Sequence, residues 1–133
     1  MWQGRVNRYR RGEIGQSLAE FALVLLVLMM IVLGIIDFTR AIYAHSAVAN
    51  AAREGARYAL IHPGDTAEIK RAAAALAVGL DNVKVDVRRP AEDIVEVVVS
   101  HRFQPVSFLI ARYVDGGSGA GLELRARSRM YVE

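Results

Sequence analysis

The most regular feature of the chain is an unbroken apolar run. From Phe21 to Ile36 it reads FALVLLVLMMIVLGII, sixteen residues without a charge. A globular core helix keeps a polar stripe on the face turned to water, and this run has none. A bilayer core about 30 Å thick needs roughly 20 helical residues, with about 17 as a practical minimum. Leu18 and Ala19 before the run and Phe38 after it supply that length, with Glu20 and Asp37 near the two ends. The pattern predicts a helix that crosses a membrane.

Helical character continues beyond the run. Thr39 to Ile61 contains no proline and is rich in alanine, the strongest helix former. Ala47, Ala51, Gly55 and Ala59 recur every four residues and form a ridge of small side chains along which another backbone can pack closely. Glu54 is placed to pair with Arg57 at i+3. A single helix over Gln16–Ile61 is expected, about 69 Å long at 1.5 Å per residue, ended by Pro63-Gly64. Asp65-Thr66-Ala67-Glu68 then opens a short second helix that closes near Gly79.

After Gly79 the period changes to two. Val83, Val85 and Val87 alternate with Lys84, Asp86 and Arg88, and a turn is expected over Arg89-Pro90-Ala91-Glu92-Asp93. Ile94–Phe103 reads as a second strand and the alternation from Leu122 to Val132 as a third. Between these two strands lie an aromatic-aliphatic stretch, Val106 to Val114, and a flexible glycine-rich segment, Gly116 to Gly121. Three short strands with one apolar face need a cover, and the alanine-rich half of the long helix with the second helix supplies one. The expected fold is α+β: a long N-terminal transmembrane and stalk helix, a short second helix, and a three-stranded antiparallel sheet packed on the helices. It divides into a basic leader (1–15), the transmembrane and stalk helix (16–61) and an extracytoplasmic head (62–133).

Composition sharpens this picture at a few points. The chain has 133 residues, enough for one small domain, and at 53% hydrophobic it is too apolar to be disordered. The absence of cysteine excludes disulfide scaffolds, iron–sulfur clusters and thiolate zinc sites. Residues 1–15 hold Arg5, Arg8, Arg10 and Arg11 against Glu13, so the whole formal charge of +3 lies there and the remainder is balanced. A general nucleic-acid-binding surface therefore loses its support. Cationic flanks stay cytoplasmic, which places the N-terminus inside and everything after about Arg40 outside. A cleaved secretory signal is the competing reading, but Ala47-Val48-Ala49, the nearest cleavage-like site, lies eleven residues past Ile36 within the continuing helix.

Catalytic and metal chemistry find little here. His45, His62 and His101 are widely separated, form no ligand pair, and read as solvated or capping side chains with no metal. Gly117-x-Gly119-x-Gly121 precedes a strand and reads as a loop, with no nucleotide cofactor implied. Nothing in the spacing of Ser, His and Asp suggests a triad, so no enzyme activity is expected. Arg125, Arg127 and Arg129 share one strand face, either a solvated edge that discourages aggregation or a contact for a neighbouring subunit or an acidic polymer.

Glu20 stands out. A charged residue at the centre of an inserted helix costs about 2.5–3.5 kcal/mol, and less near an end, so such residues are usually retained for a partner. Gly15-Gln16-Ser17-Leu18-Ala19-Glu20-Phe21, a glycine closing a basic leader with glutamate fifth after it, resembles the processing site of type IV-like prepilins. Ile35-Ile36-Asp37-Phe38-Thr39-Arg40-Ala41-Ile42-Tyr43, followed by Asn50-Ala51-Ala52-Arg53-Glu54-Gly55-Ala56-Arg57-Tyr58-Ala59, resembles the TadE-like family of tight-adherence (Flp) pilus systems. The resemblance covers about Ile14 to Leu60.

It implies a minor pilin or pseudopilin in the bacterial inner membrane, cut between Gly15 and Gln16 by the prepilin peptidase. In that picture Glu20 and Phe21 guide assembly with other pilin subunits, further copies of the chain and the pilus machinery, and the product contributes to an adhesive extracellular filament. One departure is that Flp-type pilins carry Glu-Tyr where this chain has Glu20-Phe21, so a role for the tyrosine hydroxyl does not carry over. An unprocessed, single-pass anchored binding module and a major filament subunit remain as alternatives.

Overall fold

The computed structural model describes residues 3–107, 112–113, 116 and 121–131, with residues 3–13 described for their backbone alone. The expected stretch Val106–Val114 and the glycine-rich segment thus fall largely outside the described residues. Five elements follow in order: α1 (Gln3–Ile61), α2 (Thr66–Leu76), β1 (Lys84–Ala91), β2 (Ile94–Phe103) and β3 (Leu122–Tyr131). The chain divides into two compact units, Met1–Ile36 and Asp37–Glu133.

The architecture is the α+β arrangement expected from the patterning, with differences at two boundaries. α1 begins at Gln3 and not at Gln16, because nothing in the leader stops a helix. It holds no proline, and Gly12 and Gly15 weaken a helix by roughly 0.5–1 kcal/mol each without breaking it. The second difference is at the first hairpin. β1 runs on through Pro90 to Ala91, leaving only Glu92-Asp93 as the turn instead of the five residues expected. Arg88 faces Glu96 and Ala91 faces Ile94, so Arg89 and Pro90 together oppose the single Val95 in a bulge. Proline is tolerated there because the strand order β1-β2-β3 makes β1 an edge.

The second unit has its own core. Val48, Ala51, Ala52, Ala56 and Ala59 of α1 pack with Ile69, Ala73 and Ala77 from α2 and its end, and with Val95, Val97 and Val99 of β2. Full burial of side chains such as Ile69, Val97 and Val99 stabilises by roughly 1.5–3 kcal/mol each relative to exposure. α2 starts where the sequence indicated: the Asp65 carboxylate accepts from the amides of Ala67 (3.1 Å) and Glu68 (3.0 Å). The Tyr43 hydroxyl donates to the Val78 carbonyl at 2.8 Å and ties α1 to the segment after α2. Gly121, with φ +72°, admits β3 to the sheet; a Cβ there would lie 2.7 Å from the Phe103 carbonyl oxygen.

The register sorts the sheet into two faces, since cross-strand partners share a face. Val85, Val87, Val95, Val97, Val99, Ala126 and Met130 fall on the core side. Asp86, Arg88, Glu96, Val98, Arg127 and Arg129 fall on the other.

Candidate assembly site

Gly15, Gln16, Glu20 and Phe21 occupy two successive turns of α1, and all four are exposed. At Gly15 a Cβ would meet nothing within 4 Å. Gln16 and Glu20 are four apart and share a helix face, and the tilt of the Cα–Cβ bond sends Glu20 toward the Gln16 end. From Ile14 to Ile36 the large apolar side chains are 39–67% exposed, on every side of the helix. By length and composition α1 can cross a membrane. So long an all-round apolar surface is unfavourable in water and fits lipid or other apolar helices.

Immediately after this run the chain places a carboxylate that its neighbours do not predict. Asp37 is only 2% exposed. Its Oδ1 accepts from the Val106 amide at 2.8 Å and its Oδ2 from the Ser107 amide at 2.7 Å, residues that follow β2. Arg40 lies 3.5 Å from Oδ1, and its guanidinium stands over the Phe103 ring, 5.5 Å from the centroid. A buried carboxylate needs such partners, and two backbone amides with one guanidinium supply them. Asp37 thereby clasps α1 to the outgoing end of β2.

A second buried acid lies on the outer sheet face. Glu96, 5% exposed, takes the Arg129 Nε at 2.7 Å and the Arg127 Nε at 3.3 Å on one oxygen. Two of the three arginines expected to form a solvated edge thus cover a carboxylate; Arg125 makes no ion pair among the described residues. The hydrogen bond from Arg129 holds the Glu96 carboxyl below its ordinary range, helped by the charges of Arg127, Arg129 and Arg88 and opposed by burial. A depressed pKa means stability that is present above the unfolded value, near 4.3, and lost as pH falls through the folded value below it. Glu96→Gln should therefore be less stable than the parent at pH 7, with the gap closing toward pH 3. Denaturant midpoints across that range read it directly.

The small-residue ridge is buried within the second unit: Ala47 is 8% exposed and Ala51 and Ala59 are fully covered. A Cβ on Gly55 would stand 2.9 Å from the Ala73 Cβ and 3.0 Å from the Val97 Cγ1. The close approach made there is to α2 and β2 of the same chain. Glu54 and Arg57 pair at 3.9 Å, as their spacing suggested. His101 departs from the solvated-or-capping reading, because it is buried with Nδ1 2.8 Å from the Asp81 carbonyl, which puts a proton on that nitrogen. His62 stacks on Tyr58, with centroids 4.8 Å apart. Among the described residues no three His, Asp or Glu side chains gather as a metal site.

With this geometry in place, comparison with known proteins gives one match. The family model described as TadE-like protein aligns with residues 15–57, from the candidate cleavage glycine to Arg57. Neither a curated protein nor a solved structure matches the chain.

Proposed function

From a chain whose residues 15–57 are TadE-like, we propose a minor pilin or pseudopilin of a tight-adherence pilus. It is held in the bacterial inner membrane by α1 with the arginine-rich end in the cytoplasm, cut after Gly15, and packed into the assembly through the same helix. The observation that carries this reading is the conjunction of Gly15 and Glu20 at the head of an apolar helix that is exposed on every side.

The chemistry follows from the termini. Hydrolysis of the Gly15–Gln16 bond leaves a carboxylate on the leader and an ammonium on Gln16. It also removes the four arginines that hold this end in the cytoplasm. Gly12 and Gly15 lower the cost of unwinding α1 at the scissile bond. After the cut, the first helical turn has unpaired amides and a positive dipole end, and Glu20 stands one turn in, where a carboxylate is favourable. In an apolar environment its further partner is the Gln16 ammonium of an adjacent subunit. Breaking a buried pair of that kind costs about 3–5 kcal/mol, because one charge is left alone.

Glu20→Ala is accordingly expected to insert and to be cleaved, yet to incorporate poorly into the filament. Normal incorporation of that variant counts against the pairing. N-terminal sequencing of the membrane fraction separates this reading from an unprocessed anchored module, the first giving Gln16 and the second Met1. Mass spectrometry checks whether Gln16 has cyclised, which would abolish the amine. Subunit stoichiometry in purified filaments distinguishes a minor component from the repeating subunit.

A further inference from the structure

We propose that the open edge of β3 is a docking site for an extended, acidic segment of a partner protein, which adds to the sheet as a fourth strand. The order β1-β2-β3 leaves the sheet two edges. An edge strand presents every second N–H and C=O unpaired on its outer side. β1 guards its edge, because Pro90 lacks a donor and the bulge at Arg89-Pro90 breaks the line. β3 has neither device. Its ten residues pair with β2 one for one, from Leu122 opposite Phe103 to Tyr131 opposite Ile94, without proline or bulge. Among the described residues no strand pairs with its other side.

The side chains of β3 define the chemistry of the occupant. Arg125, Arg127 and Arg129 stand two apart on the outer sheet face. Glu96 answers two of them through one oxygen, yet the Arg127 and Arg129 side chains stay 50% and 57% exposed. Arg125 is exposed and makes no ion pair among the described residues. On the core face Leu124, Ala126 and Met130 are only half-buried. An added strand continues both faces, since directly opposed residues share a side. Acidic residues at every second position therefore meet the arginines, and apolar residues between them cover the half-buried row. A second copy of the chain is the poorer occupant. With outer faces aligned and Arg127 opposite itself, antiparallel β3–β3 pairing sets Arg125 against Arg129 twice. A shift of two residues sets Arg125 against Arg127 twice, and like charges directly opposite destabilise. The arginine row thus repels its own kind and admits an acidic strand, whose main chain supplies the hydrogen bonds.

The experiment uses the full chain in detergent micelles and a labelled ten-residue peptide of alternating valine and glutamate. The peptide is expected to bind and to slow hydrogen exchange at alternate amides of β3, which a charge contact without strand addition would not do. Arg125→Glu should weaken binding by about fivefold or more, and it disturbs no ion pair among the described residues. Absence of binding, unchanged affinity in Arg125→Glu, or binding that leaves β3 exchange unaltered overturns the site. Equal binding by a peptide of alternating valine and lysine overturns it as well. So does displacement of the acidic peptide by an oligogalacturonate of equal charge, since the row would then be a surface for anionic polymers. Slow exchange at those amides without peptide, together with a dimeric mass, gives the edge to a second copy and overturns the proposed partner.

Discussion

Asp37→Ala should lower the stability of the second unit by about 2–4 kcal/mol and free the chain that follows β2. The substitution removes both acceptors from the Val106 and Ser107 amides. A stranded buried donor costs about 1–3 kcal/mol. The two sites differ, because Ser107 is 8% exposed and recovers little from solvent, whereas Val106 is 64% exposed and recovers part of its loss. Arg40 loses its carboxylate neighbour in the same step. Asp37→Asn should fall between parent and Ala, since the amide oxygen serves one donor while its NH₂ group confronts the other. Hydrogen exchange on the full chain in micelles tests this locally. The Val106 and Ser107 amides should lose protection in Asp37→Ala before the β2 amides do. Unchanged protection at Ser107 would mean that the clasp does not hold this segment.

The contrast between Asp37 and Asp65 shows where sequence reading succeeds and where it stops. Asp65 was legible as a cap because its acceptor role is discharged within three residues, on Ala67 and Glu68. Asp37 does the same chemistry on amides 69 and 70 residues away. A backbone N–H leaves no mark in a sequence, so nothing near Asp37 distinguishes a clasp from a solvated flank. The only signal was a carboxylate adjoining an apolar run. The helices and strands were readable because their patterns differ, no period at all over Phe21–Ile36, alternation in β1 and β3, and a short valine-rich run in β2.

Topology accounts for most of the remaining surprises. Pro90 looked like a turn until the strand order made β1 an edge, where a missing donor does no harm. Glu96 interrupts a run of valines, and its role needed the register that sets Arg129 directly opposite it. Gly15, Gln16, Glu20 and Phe21 could be singled out for the proposed processing and assembly because the pattern that carries that proposal is local in the sequence. The partners proposed for them lie outside this chain, so neither its sequence nor its fold displays them. The alanine ridge lies between these cases. Its smallness was plain, yet the surface it packs on became apparent only when α2 and β2 were placed against it.

That packing makes Gly55 the position at which added volume should do most damage. Its missing side chain faces two groups on two different elements, Ala73 on α2 and Val97 on β2, and both are fully buried. For Gly55→Ala two effects oppose each other. The alanine gains about 1 kcal/mol of helix propensity, and the new Cβ at 2.9 and 3.0 Å forces a shift that costs typically 1–3 kcal/mol. The contacting atoms are a Cβ and a β-branched methyl, which have no flexible arm with which to retreat, so overpacking should win by about 1 kcal/mol. Gly55→Val adds two methyl groups and a restricted χ1 and gains little propensity. It should cost about 3 kcal/mol and destabilise the second unit more than Gly55→Ala does. Double-mutant analysis isolates the cause. Ala73→Gly opens space beside Gly55→Ala, so the pair should be less destabilised than the sum of the single changes, by roughly 0.5–1 kcal/mol. Strict additivity would show that α1 and α2 approach less closely at this point than a 2.9 Å clash requires, and the small-residue ridge would lose its structural reason.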